Sequence, residues 1–385
     1  MEGLQPLVLE VFDKDFQYLA TVGRPQALVM TARKNAVGTG AFALDAKEDA
    51  EPVEALAEPG ALMVAHYRHD PDNPLAPMYF LGGPVTQVDL GGVLSAPTRA
   101  FTVKDHWDIL STFPCRGVPT STGWASQGTA SSIYTSTGPA ETVVKDLVDK
   151  NKALVPTPIS VVPTHGWGED ITVQVRSNVL VDKIFPALNY AHVGISVRQG
   201  EAGLVLDAYE PTVHAEPLTP ESGIISKLEG SLLRPTVSRV TVRGGPDDAS
   251  VFRLVVNTAV EAVWGYCGWA LVDVPESTTA AYLDAKGWEV LNAGARQASL
   301  SIELLETDAW RFGEGEEFYS LGDEVSVAAG GVDLGTHSIT EVEIAWSKGI
   351  KVTSRVGERP LAPDKAMAKA MEQVARSVRI DRARG

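Results

Sequence analysis

Apolar runs in this chain are short, and glycine, proline or an acidic turn cuts them every few residues. That punctuation constrains the fold more than any other feature. With 35 Gly and 24 Pro among 385 residues, long helices are interrupted before they can dominate, whereas strands of roughly four to eight residues joined by turns fit easily. The expected class is α+β, mostly β. The length exceeds one ordinary domain, and 44% hydrophobic against 21% charged residues is the balance of a folded chain. No run of about 18 apolar residues occurs, so no membrane insertion is expected.

The pattern along the chain divides it into five stretches. Residues 1–107 read as a small β-barrel or sandwich. Its expected strands are Leu7–Phe12, Phe16–Val22, Leu28–Arg33, Ala41–Leu44, Ala61–Tyr67, Met78–Leu81, Val85–Leu90 and Thr98–Val103, with a short acidic helix within 45–58 and a break at Gly82-Gly83-Pro84. Residues 108–138 contain a Ser/Thr/Gly-rich segment, 117–138, that reads as an exposed linker. Residues 139–215 read as an α/β domain. Its first helix carries Ala140, Val143, Val144, Leu147 and Val148 on one face, with Thr137 or Gly138 as cap and Pro139 in the first turn. A second helix starts at a cap on Asn178, with Leu180, Ile184 and Leu188 in one stripe and Pro186 set to kink or end it. A hairpin over Val193–Arg198 and Leu204–Tyr209 follows.

Residues 216–357 read as β-rich, with one helix over Thr279–Ala293 whose apolar side is Tyr282, Leu283, Trp288 and Leu291. The alternation Gly265-Tyr266-Cys267-Gly268-Trp269 points to close packing against another backbone. Residues 358–385 end in a helix over about 363–378, striped by Met367, Met371, Val374 and Val378. The formal charge is −16, yet residues 363–385 are net +3, which leaves −19 for everything before them. Arg376, Arg379, Lys365 and Lys369 suit either the helix C-terminus or docking on an acidic partner. The apolar stripe with Arg376 and Arg379 is the candidate partner-binding site, and packing back on the same chain is its alternative.

Chemistry-bearing motifs are sparse. The acidic balance argues against a nucleic-acid binder that works by counterion release. No phosphate loop, G-x-G-x-x-G, H-E-x-x-H, G-x-S-x-G or C-x-x-C is present, so no cofactor and no catalytic residue is expected. Two cysteines, Cys115 and Cys267, cannot build a disulfide framework. Five constellations stand as minor alternatives. Cys115 beside Arg116 could be an activated thiol, and His66, His69 and Asp70 could ligate a metal. Glu314, Glu316, Glu317, Asp323 and Glu324 could bind calcium, although a solvated acidic turn fits them better. Glu303 with Glu306, or Glu314 with Glu317, could serve a cell-wall hydrolase. Trp124, Trp167 and Trp310 could stack on sugars in a carbohydrate-binding protein, or anchor a core. No secretion signal opens the chain, so synthesis in a reducing bacterial cytoplasm is expected.

Three segments carry a resemblance. They are LVLEVFDKDFQYLATV with PGALMVAHYR and MYFLGGPVTQVD; GPAETVVKDLVDKN with RSNVLVDKIFPALNYAHVGISVRQGEAGLVLDAYEP; and KGWEVLNAGARQASLSIELLETDAWRFGEGEEFYSLGDEVSV with ITEVEIAWSKGIKVTSRVGE. In serial order they resemble the baseplate hub and minor tail proteins of long-tailed, siphovirus-type phages of actinobacteria, and more distantly the hubs of contractile tails. The resemblance runs from residue 7 to about 357. It implies a multi-domain tail-hub architecture with β-barrel-like tube domains and helix-containing bracing domains. It also implies a virion protein at the tail tip that caps the tube as a homotrimer and forms the conduit for DNA ejection. Its implied partners are distal tail, tape-measure and tail-tip or receptor-binding proteins, with DNA passing unbound. Some such hubs continue into a peptidoglycan-cleaving domain, and here only the basic helix is expected after the last strand.

Overall fold

The computed structural model describes residues 7–357 except 24, 69–76, 94–95, 122, 129–132, 189–190, 233, 247–248, 276, 295–297, 308–309, 316–317, 330–331 and 347–348. The C-terminal stripe of Met367, Met371, Val374 and Val378, with Arg376 and Arg379, therefore lies outside the described residues. The chain forms two compact units: Met1–Ile224 with Leu304–Arg355, and Ile225–Glu303 with Val356 and Gly357.

In chain order the first unit begins with strands β1 (Leu7–Phe12), β2 (Tyr18–Val22), β3 (Ala27–Arg33) and β4 (Thr39–Asp45), then helix α1 (Ala50–Ala57). Strands β5 (Leu62–Tyr67), β6 (Met78–Val93) and β7 (Ala96–Lys104) follow. Period-two alternation makes them, as in β1, where Leu7, Leu9 and Val11 turn inward. The sheet runs antiparallel in the order β4-β7-β6-β5-β1-β2, with β3 beyond β4. The expected break at Gly82-Gly83-Pro84 is absent, because β6 continues through it while changing partner from β5 to β7. Glycine is required at that crossing: a Cβ on Gly83 would lie 2.0 Å from the Lys104 carbonyl oxygen.

Next come α2 (Asp108–Ser111), β8 (Pro114–Arg116), β9 (Tyr134–Pro139), α3 (Ala140–Asn151), β10 (Ile159–Val161), β11 (Asp170–Val175), β12 (Ser177–Val179), α4 (Leu180–Leu188), β13 (Gly194–Gly200), β14 (Gly203–Tyr209) and β15 (Val213–Leu218). The linker expectation fails at its end, since 134–139 is a strand paired antiparallel with β11. Asp146 holds this polar strand by accepting from Tyr134 Oη and Ser136 Oγ at 2.6 and 2.7 Å. Helix α3 starts without a side-chain cap. The carbonyls of Glu169 and Trp167 accept its first amides, those of Ala140 and Glu141, which removes the need for Thr137 or Gly138 to do so. Its face of Ala140, Val143, Val144, Leu147 and Val148 is fully buried. Asn178 lies in β12 and takes the Arg176 amide, so it is no cap, and α4 runs two residues past Pro186 with Leu180, Ile184 and Leu188 buried.

The second unit holds β16 (Ile225–Leu232), β17 (Arg239–Gly244), β18 (Val251–Val256), α5 (Thr258–Trp264), β19 (Trp269–Val274), α6 (Ala280–Ala293) and most of β20 (Ala298–Leu305). Sequence reading did not foresee α5, which Asn257 caps by accepting the Val260 amide at 3.0 Å, or β19. The three-stranded sheet has the order β18-β17-β19, with β19 parallel to β17. Tyr282, Leu283 and Leu291 of α6 pack on Val240, Val242, Val255 and Val274. Trp288, expected on that apolar side, is instead 43% exposed. The close backbone approach expected near 265–269 occurs at Gly268, where a Cβ would lie 2.2 Å from the Thr236 carbonyl oxygen. The chain then returns to the first unit through β21 (Glu324–Ala329), β22 (Val332–Trp346) and β23 (Ile350–Val356), where β22 pairs with β3 and with β21.

Candidate functional site

A cleft of about 570 Å³ opens in the first unit between β3, β6, β13, β14 and the loop that precedes β21. Aromatic stacking shapes the loop wall. Phe312 stacks on Tyr67 (6.0 Å, 22°) and meets Phe80 edge-on at 5.8 Å, while Trp310 stacks on Tyr319 at 5.0 Å. Tyr319 is buried and its Oη shares a 2.6 Å hydrogen bond with Ser354 Oγ. On the other wall the Tyr209 ring fills a slot where Cβ atoms at Gly194 and Gly322 would lie 1.9 and 2.7 Å from it. Burial pushes the hydroxyls of Tyr67, Tyr79, Tyr209 and Tyr319 well above the usual tyrosine range, so all four are neutral packing groups with polar tips.

The carboxylates of the cleft hold the fold together. Asp323 accepts from the amides of Thr212 (3.0 Å) and Ser320 (2.8 Å) and pairs with His214 Nε2 at 3.0 Å. Asp105 accepts the Gly38 amide at 2.7 Å. Burial pushes its carboxyl up to about 7, against the lowering pull of the Gly38 and Trp107 amides. The Arg198 guanidinium lies over the Tyr79 ring at 5.7 Å. A wall of this kind can hold an apolar or aromatic side chain, while Asp105 and Asp323 each accept from backbone amides.

The structure disperses the residues that sequence alone suggested for chemistry. Cys115 is buried and paired in register with Asn178, and burial pushes its thiol up to about 12. Arg116 does not activate it, because that guanidinium donates to the Ser121 and Pro119 carbonyls. His66 faces Glu10 at 3.3 Å, and His69 and Asp70 lie outside the described residues, as do Glu316 and Glu317. Asp323 and Glu324 do not form a solvated acidic turn: both are buried, and Glu324 pairs with His192 Nδ1 at 2.5 Å. Glu306 accepts the Phe312 amide at 2.8 Å, which leaves it a loop brace. Trp167 stacks on His165 at 4.3 Å and Trp310 on Tyr319, both in the anchoring role, while the side chain of Trp124 lies outside the description. Among the described residues no group of three or more His, Cys, Asp or Glu side chains could hold a metal ion, and no helix is long and apolar enough to cross a membrane.

Sequence reading missed one positioning residue. Asn35, at φ +48°, donates its side-chain amide to the Val193 carbonyl at 3.0 Å and accepts the Ile195 amide at 2.8 Å. Only its placement in a turn between two strands hinted at this.

This arrangement, a long antiparallel sheet braced by a buried α/β layer, is the fold of phage tail proteins. It matches the 43 kDa tail protein of prophage MuSo2 from Shewanella oneidensis with a TM-score of 0.58 at 13% identity, covering 92% of this chain and 99% of that one. The tail protein from Neisseria meningitidis MC58 gives 0.53 at 12%, covering 92% and 97%. Prophage tail protein gp18 from Listeria monocytogenes EGD-e gives 0.52 at 10%, covering 97% and 100%. The chain belongs to the family of siphovirus ReqiPepy6 Gp37-like proteins, whose model matches residues 8–358. It is therefore a bacteriophage tail protein and a virion component. No curated protein sequence matches it.

Proposed function

We propose that the chain is a hub at the tail tip: three copies close into a ring that caps the tube and leaves a central passage for DNA. The observation that carries this reading is the open edge of the first unit's sheet. Among the described residues β2 pairs with β1 alone, and Tyr18 and Leu19 on it are 57% and 39% exposed. A long sheet with a bare, partly apolar edge invites pairing with another chain, and cyclic closure satisfies every such edge in turn. The −16 charge supports a passage, since acidic walls do not retain phosphates by counterion release. Distal tail, tape-measure and receptor-binding proteins would be its neighbours. A tail-tip reconstruction tests the reading. Three copies around the axis, with β2 at the contact between copies, are expected; six-fold or single-copy density for this chain would overturn it.

A further inference from the structure

Strand β13 is the outer strand of the sheet β10-β14-β13, and its residues 195–198 line the cleft of the first unit. In an antiparallel pair the backbone groups of every second residue point away from the partner strand. At Ile195 these outward groups are taken by side chains. Its amide donates to Asn35 Oδ1 at 2.8 Å, and its carbonyl accepts from Trp107 Nε1 at 3.1 Å. Val197 stands two residues on, opposite Leu206, so its amide and carbonyl point the same way. Leu206 agrees, because its carbonyl accepts the Val162 amide at 3.0 Å on the far side of β14. Two residues further, the Gln199 amide faces the Tyr79 hydroxyl. Val197 itself is 6% exposed, and among the described residues its two outward groups have no partner.

We infer that the cleft binds an extended peptide segment of a partner protein: one of its residues exchanges both backbone hydrogen bonds with Val197, and a neighbouring aromatic or large aliphatic side chain lies against Phe80 and Phe312. Buried backbone groups without partners are rare. A donor and an acceptor side by side on a strand edge are met together by one residue of another extended chain. Main-chain bonds of this kind supply affinity, and the adjoining pocket supplies specificity. The volume of about 570 Å³ lies within the range of roughly 300–1,000 Å³ usual for small-ligand sites, which suits a short anchored segment. Charge narrows the choice further. Glu210 and Glu314 are exposed lining residues without an ion-pair partner among the described residues. The lining's cations are engaged, Arg33 with Glu341 at 2.9 Å and Arg198 over the Tyr79 ring. A segment carrying basic residues therefore fits better than an acidic one. This assignment goes beyond the ring reading and does not depend on it.

Calorimetric titration of the full chain with N-acetylated, C-amidated pentapeptides of the form Lys-Val-X-Val-Lys tests it, with X as Phe, Leu, Trp or Gly. The best apolar X should bind at least about tenfold more tightly than Gly. N-methylation of that peptide, one residue at a time, should weaken it at least about tenfold at one position. Exchanging its two lysines for glutamates should weaken it about threefold. In spectra of the valine-labelled chain, the Val197 amide should shift on binding. Four results would overturn the assignment. They are no binding of any of these peptides at millimolar concentration, binding that N-methylation leaves unchanged at every position, a preference for the glutamate version, or binding with the Val197 amide unmoved. The second would give the cleft to side chains alone, and the last would place the peptide elsewhere.

Discussion

The two units treat an apolar layer in opposite ways. In the first, α3 is enclosed: Val143, Val144, Leu147 and Val148 are fully buried within a continuous core that reaches Leu110, Phe113, Ile184 and Leu206. A buried ion pair sits in the same layer, with Lys145 Nζ 2.6 Å from Glu141 and 2.9 Å from Asp207. In the second, one helix covers one face of a three-stranded sheet, and the ion pairs Arg239–Glu261 and Arg253–Asp284 lie near solvent. The difference separates a helix layer enclosed on every side within its own chain from a sheet face that presents large apolar side chains to its surroundings. Identical substitutions should therefore have unequal effects in the two places.

The largest contrast is between their ion pairs. Glu141 is fully buried and accepts from Lys145 and from the amides of His165 and Trp167. Burial alone would raise its carboxyl, yet those donors bring it down to about 2. Glu141→Ala leaves two amides without their acceptor and Lys145 with Asp207 as its remaining charged partner, and should cost about 3 kcal/mol in denaturant unfolding. Because the folded value lies below the unfolded one, this support is complete above the ordinary glutamate value. It fades as pH falls through about 2, and the acid unfolding limb of the variant should flatten there. Arg253→Ala, at an exposed pair, should leave the denaturant midpoint unmoved. Equal losses from both variants would erase the distinction between the units.

A comparable effect is expected from apolar truncation. Leu147→Ala should destabilise by about 2–5 kcal/mol through the cavity it leaves. Leu254→Ala, on the bare face, should stay within about 0.5 kcal/mol of the parent by the same unfolding measurement. The smallest effect concerns the thiols. Cys115 is buried with its thiol pushed up to about 12, whereas Cys267 is half-buried. A disulfide reagent at pH 8 should therefore titrate one thiol per native chain and two after denaturation. Two fast thiols in the native protein would show the enclosed core to be open.

The strands were legible where one face is core: β1, β20 and the hairpin of β13 and β14 follow plain alternation or turn chemistry. What escaped the sequence was set by partners distant in the chain. Strand β9 is Ser/Thr/Gly-rich and owes its shape to Asp146 and β11. The continuity of β6 through two glycines depends on the Lys104 carbonyl beneath them. Trp288 matched a helical stripe, yet α6 buries a narrower face than the pattern allowed. The cleft was unreadable because its aromatic walls come from residues 79, 80, 209 and 312, which no spacing relates. The bare face of β18 and β19 escaped for the reverse reason: apolar residues on both sides of a strand look like full burial.

The Asn35 clamp has a mechanical consequence. Its buried amide bonds both the Val193 carbonyl and the Ile195 amide, as a neighbouring peptide group in a ladder would. The Trp107 indole adds a parallel donation to the Ile195 carbonyl at 3.1 Å. The turn after β3 and the start of β13, more than 150 residues apart in the chain, are thereby joined like rungs of a single ladder. Load applied to one is carried directly into the other and shared among several short bonds pulled in shear. Such a joint yields all at once and resists creep, so the sheet and its helical brace should unfold as one cooperative block under force.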